Sequence, residues 1–184
     1  MRRCLRTAVS NRQGAALVEF AIILPVLVFL FFGTYEATRL VRTQMKVANA
    51  TQAYADVIAA DTSGSLTTAN LSDDCTGAGL VLTPFPAASF SAAVASLSSA
   101  NGSNWTQVWH DISTCGVTAS ISGVSLASGL PPTAQGDALI VVTAKYAYTS
   151  PISYLLPASQ TLSKTAFARP RINATLSCSN CAQN

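Results

Sequence analysis

Gln13-Gly14-Ala15-Ala16-Leu17-Val18-Glu19-Phe20, continued by the apolar run from Ala21 to Phe32, decides how this chain is read. From Ala15 to Tyr35 the segment has about the ~20 residues a membrane-spanning helix needs. Two residues interrupt it: Glu19 near its start and Pro25 near its middle. A plain anchor gains nothing from Glu19, because an ionised carboxylate costs about 2.5–3.5 kcal/mol at the centre of an inserted helix. The carboxylate therefore implies a task beyond anchoring. Pro25 is expected to kink the helix, since its ring clashes with the carbonyl of Ala21 and it has no N–H to donate.

The flanks set the orientation. Arg2, Arg3, Arg6 and Arg12 precede the run, and basic residues beside a first apolar span stay on the cytoplasmic side. The bulk of the chain should then face outward. The net charge of +3 misleads: four of the eleven Lys and Arg lie before Ala15, leaving seven against eight Asp and Glu. No basic face remains for nucleic acid. With 10% charged residues and 184 in all, the chain has room for one domain besides the membrane segment. A cleaved secretory signal fits poorly, because the apolar run is too long and ends Phe32-Gly33-Thr34-Tyr35-Glu36 without a small-x-small site. An uncleaved signal anchor carrying a periplasmic domain that binds an envelope partner, and never enters a filament, is the alternative to the reading below.

A short basic leader, a glycine, and a glutamate five residues beyond it resemble the class IV prepilins, and most of all the TadE-like pseudopilins of tight-adherence (Tad/Flp) type IVb pilus systems. The resemblance rests on Gly14, Ala15, Glu19 and Phe20 and covers about the first 35 residues. It implies that a prepilin peptidase cuts between Gly14 and Ala15. It also implies that Glu19 and Phe20 serve processing and assembly, and that the mature chain meets other pilins and the pilus assembly platform at the inner membrane. The large head implies a minor subunit rather than a major one. The expected layout is α+β: a leader at 1–14, a helix at 15–60 and a small antiparallel β-rich exported head at 61–184. The helix is divided into a membrane part at about 15–35 and an amphipathic part at 36–60. No cofactor and no metal are expected.

Glu36 to Ala60 contains no Pro or Gly, and Leu40, Val47, Tyr54 and Ile58 recur at helical spacing. Together with the membrane run they make one helix near 65 Å long, at about 1.5 Å per residue. Asp61-Thr62-Ser63-Gly64-Ser65 should end it. Leu66 to Gly79 reads as a polar loop and Leu80-Val81-Leu82 as a short strand. Residues 87–99 permit helix or strand. The Asn101-Gly102 hairpin signal favours strands near 93–100 and 104–112. Val117 to Leu126 reads as another strand. Ala138 to Tyr148 alternates most clearly, with Ile140, Val142, Ala144 and Tyr146 on one face and Leu139 and Val141 on the other. The second face should be partly covered by the N-terminal helix. Gln160 to Ala168 gives the last strand.

Removing the leader would remove Cys4 and leave Cys75, Cys115, Cys178 and Cys181, an even number in an exported domain, which favours two disulfides. Three pairings are open, and a bridge pinning the tail to the body would restrain a loose chain end. The C-x-x-C at 178–181 also permits a redox pair or a zinc site, but no βαβ unit and no second C-x-x-C accompany it. Catalytic signals are few. His110 is the single histidine, and Gly123-Val124-Ser125-Leu126-Ala127 misses the Gly-x-Ser-x-Gly elbow at its last position. Asp73-Asp74 reads as a solvated pair rather than a calcium site. Asn49, Asn70, Asn101, Asn104 and Asn173 begin Asn-x-Ser/Thr triplets, as a Ser/Thr-rich chain produces by chance.

Overall fold

A computed structural model describes residues 12–116, 121–130, 132, 134–152, 157–171 and 175–183. The architecture is α+β, a long N-terminal helix followed by an antiparallel five-stranded sheet. It falls into two units. The first comprises the chain up to Arg39 with Ser150–Ala158, and the second comprises Leu40–Thr149 with Ser159–Asn184.

Helix α1 runs from Arg12 to Ala59, and its helical hydrogen bonding continues on both sides of Pro25. In the second unit Val47, Tyr54 and Ile58 of the predicted α1 stripe are fully enclosed, and Ala50 beside them is too, while Leu40 is only partly buried. They share one core with Val94, Ile140 and Val142 on the inner face of the sheet. Two polar links hold the C-terminal half of the helix. The Tyr54 hydroxyl donates to Leu71 O at 3.1 Å, and the Arg171 N–H donates to Ala59 O at 3.0 Å, satisfying a carbonyl the helix end would otherwise leave unpaired.

The sheet consists of β2 (Phe90–Ser98), β3 (Thr106–Cys115), β4 (Ala138–Thr149), β5 (Ser159–Ala168) and β7 (Ala182–Gln183) in the order β5-β4-β2-β3-β7. β2 begins at Phe90, before the expected start near 93, because its partner β4 pairs with it from Phe90↔Tyr146 onward. The Asn101-Gly102 pair does mark a hairpin, but the loop spans 99–105 instead of two residues. Gly102 takes φ +70° and donates to Ser99 Oγ, while Asn101 Oδ1 accepts from the N–H groups of Ser103 and Asn104. The β4 alternation holds, with Ile140, Val142 and Ala144 in the core shared with α1.

Five expectations are corrected. Residues 66–79 are not a loop: Thr68–Val81 form α2, opened by a reciprocal cap between Thr67 and Asn70. Asparagine at the third helical position does the work usually given to Glu or Gln, so the capping signal was disguised. Leu80 and Val81 therefore end a helix and do not form a strand, and Leu82 is its C-cap. In the segment expected as a strand at 117–126, residues 117–120 lie outside the described residues, and Gly123–Leu126 form a short helical turn, α3. α3 lies so close to β2 that a Cβ on Gly123 would come within 2.9 Å of both Ala95 Cβ and Leu97 Cδ2. The second face is consequently covered by this segment and not by α1. Leu97, Leu139 and Val141 pack with Trp105 and Ala127, and Trp105 Nε1 donates to Leu130 O at 2.6 Å.

The fifth correction concerns the tail. The structure pairs Cys75 with Cys115, joining α2 to β3, and Cys178 with Cys181, so the second bridge closes within the tail itself. The tail is held to the body by other means. β6 (Ser177–Cys178) pairs in parallel with β1 (Ser65–Leu66), β7 pairs with Trp109 and His110 of β3, and the buried Trp109 Nε1 donates to Leu176 O at 2.7 Å.

Two measurements follow from this packing. Cys75–Cys115 closes a sequence separation of 40 and Cys178–Cys181 one of 3, so the first restricts the unfolded chain far more. Cys115→Ser should lower stability by about 2–5 kcal/mol in urea denaturation, and Cys178→Ser should cost less; equal losses would contradict this account. Asp74 has its carboxyl pushed above the ordinary range by burial first, then by Asp61 and Asp73. A raised acid binds its proton more tightly in the folded state, so its contribution to stability is present below the unfolded value and is lost as pH rises through the folded one. Asp74→Asn should therefore raise the urea midpoint at pH 7, with an advantage that disappears on acidification below the ordinary aspartate range.

Candidate functional site

The first half of α1 has the opposite character to the second. Apolar side chains project on every side of the helix, and none of its most apolar stretch is buried within the chain. Phe20, Ile22, Phe29 and Phe31 are more than half exposed. Removing such side chains from water is worth about 1.5–3 kcal/mol each. A run of this length in water would outweigh the whole stability of a typical domain. The segment is long and apolar enough to cross a membrane, and lipid or other apolar helices are what it requires. The hydroxyls just after this stretch are internally satisfied: Thr34 Oγ1 donates to Leu30 O and Thr38 Oγ1 to Thr34 O, both at 2.8 Å. That return to the carbonyl one turn back is how a helix keeps a hydroxyl in an apolar setting.

Gly14, Ala15, Glu19 and Phe20 all lie on this helix, exposed to the outside. Glu19 shares a helix face with Ala15 and Ala16 one turn before it and Ile22 and Ile23 one turn after it. It makes no hydrogen bond or ion pair among the described residues. The two alanines leave the carboxylate unscreened by side-chain bulk on the N-terminal side, where a positive group could approach. A Cβ placed on Gly14 would meet nothing within 4 Å. The fold therefore gives no reason for glycine there, and glycine costs about 1 kcal/mol against alanine inside a helix.

Sequence reasoning missed Glu36. It is almost wholly buried, and neither carboxylate oxygen has a hydrogen-bond partner. Its only sequence signal is an acidic residue placed directly after the apolar run.

The remaining candidates are absorbed into the head. The Gln107 amide donates from Nε2 to His110 Nδ1 at 3.3 Å, and its Oε1 accepts from the Gly123 N–H at 3.0 Å. His110 thus belongs to a link that fastens α3 to the sheet, with no serine or cysteine nucleophile bonded to it among the described residues. Asp73 and Asp74 sit on α2, and among the described residues no three His, Cys, Asp or Glu side chains are grouped to hold a metal ion. All four head cysteines are in disulfides. Neither the curated proteins nor the solved structures include a match to the chain. The family model of TadE-like protein matches residues 14–56, a span that begins at Gly14, contains Glu19 and Phe20, and ends within α1.

Proposed function

We propose that this chain is a TadE-like pseudopilin, a non-enzymatic minor component in the assembly of a Tad/Flp-type IVb adhesion pilus. One observation carries the reading: an apolar helix without partners of its own, entered through a glycine the fold does not need and marked by a lone carboxylate at Glu19. The family match over residues 14–56 supports it. In this reading residues 1–14 are a leader held in the cytoplasm by its arginines. A prepilin peptidase removes the leader between Gly14 and Ala15. Glycine suits that cut because a chain without Cβ lies close in a protease cleft. Residues 15–35 wait in the inner membrane, where neighbouring helices tolerate the kink at Pro25. The head faces the periplasm, and the extracellular side once in a pilus; its two disulfides suit an oxidising compartment.

Cutting creates a positive amine on Ala15. When helices pack side by side that amine leaves water, and a buried charge needs a partner. Glu19 supplies it, on a neighbouring subunit, and so sets the axial register with the other pilins and the assembly platform.

Protein taken from its native membrane should begin at Ala15 when its N-terminus is sequenced; a chain still starting at Met1, or starting beyond Tyr35, overturns the reading in favour of a plain anchor or a secretory signal. Gly14→Val should leave the head's melting temperature unchanged and yield an uncut, membrane-held precursor. Glu19→Leu makes the segment more apolar, so insertion should hold and cleavage should persist at least in part, while co-purification with the pilus or its assembly complex is lost. A Leu variant that is cut and incorporates like the wild type would refute the pairing with the Ala15 amine.

A further inference from the structure

The charges of the second unit are sorted by position. Arg42 and Lys46 lie one turn apart on α1. Neither these two nor Lys145 and Lys164 make an ion pair among the described residues. Two hydrogen bonds place the sheet lysines beside the helix. Gln52 Nε2 donates to Phe167 O at 3.5 Å, and the Arg171 N–H donates to Ala59 O at 3.0 Å, so α1 and β5 run side by side in the same direction. Lys164 precedes Phe167 by about 10 Å of extended strand. The same distance back along α1 from Gln52, at about 1.5 Å per residue, reaches the turn that holds Lys46. Lys145 stands at this level too, because its neighbour across the ladder is Ser163.

The acids lie elsewhere. Asp56 follows Gln52 on α1 and accepts from its Nε2, Asp61 comes after the helix end, and Asp137 precedes β4 and pairs with Arg169. Asp73 and Asp74 belong to α2, which the Cys75–Cys115 bridge ties to β3, and β4 and β2 separate β3 from β5. Asp111 is buried and accepts from the Thr114 N–H. Arg42, Lys46, Lys145 and Lys164 are thus a belt of one sign at the end of the second unit where α1 enters it.

We infer that this belt is a contact surface for the anionic phospholipid head groups of the membrane that α1 enters. Arg42 follows Phe32 by ten residues of unbroken helix, about 15 Å of rise. Arginine and lysine reach back toward an interface on their apolar stems. An anionic bilayer attracts such residues over about one Debye length, ~8–10 Å at moderate salt. Tyr35 and Arg39 lie on the same helix between the run and the belt, and tyrosine is favoured at the membrane–water boundary. Continuity with the apolar run selects lipid over an acidic protein, because head groups are the anions present wherever that run is embedded. The inference rests on α1 entering a membrane and is independent of entry into a pilus.

The test uses the full chain in lipid nanodiscs, in a Cys4→Ser background so that the introduced thiol is the one labelled. Thr161→Cys carries a fluorophore on the exposed belt side of β5, and Asn104→Cys carries it in the β2–β3 loop at the opposite end of the sheet. Discs of phosphatidylcholine, and discs with phosphatidylglycerol added, hold the same fraction of a lipid with a quencher on its head group. Quenching at 161 should be roughly twofold or more stronger with phosphatidylglycerol. It should fall back in about 1 M salt, where the Debye length is about 3 Å, and quenching at 104 should not respond. Replacing Arg42, Lys46, Lys145 and Lys164 together by Gln should make quenching equal in both discs, with the melting temperature unchanged. Exchanging Arg for Lys and Lys for Arg at the same positions should keep the response. Equal quenching at 161 in both discs, or a response that survives loss of the four charges, overturns the proposal. Should the Gln variant unfold, a response of the unaltered belt that persists in high salt overturns it instead. A chain that stays outside the discs refutes the membrane reading itself, whereas a chain that enters them without a lipid-dependent change refutes only the head-group contact.

Discussion

One helix must satisfy two solvents, and most of this structure depends on that constraint. Over Ala21 to Phe32 α1 is apolar on all sides and has no cover from the described residues. Over Val47 to Ile58 it is apolar on one stripe, and that stripe is the floor of the head's core. The same backbone carries both demands without a break from Arg12 to Ala59. The packed half of the helix is locked by Tyr54 and, at its end, by the tail through Arg171.

The head solves its own problem with two tryptophans on opposite sides. Trp109 is fully buried on the α1 side and holds the tail through Leu176, whereas Trp105 holds the cover segment through Leu130 on the other side. Each supplies a large apolar surface and one N–H that must find an acceptor when buried. In both cases the acceptor is a carbonyl from an irregular segment, so each tryptophan fixes a stretch that has little hydrogen bonding of its own. The C-x-x-C bridge then shapes the tail locally, and Gln183 Nε2 closes the turn onto Cys178 O and Cys181 O.

What was legible in the sequence was the part governed by a long period. The apolar run, the helical stripe at Val47, Tyr54 and Ile58, and the strict alternation of β4 each repeat often enough to outweigh local noise. Gly14 and Glu19 also stand out in the sequence, as a glycine and a carboxylate at the head of an apolar run. The failures were short and tertiary. α2 has a weak apolar face and hides its cap behind Asn70, so nothing in it announced a helix. α3 is only a turn, and its Gly123 is explained by how near β2 lies, a distance no local pattern encodes. Glu36 was passed over because burial of a carboxylate at a helix surface depends on what comes to cover it.

The tail's place in the sheet has a consequence for biosynthesis. Trp109 receives its acceptor from Leu176, which lies 67 positions later in the chain. At roughly 5–20 residues per second of synthesis, about 3–13 s separate the two. Throughout that interval β3 has an open edge and Trp109 an unanswered N–H, while all of α1 is already synthesised. The helix is therefore complete before the head can close, and the β3 side stays open until the final eight or so described residues seal it.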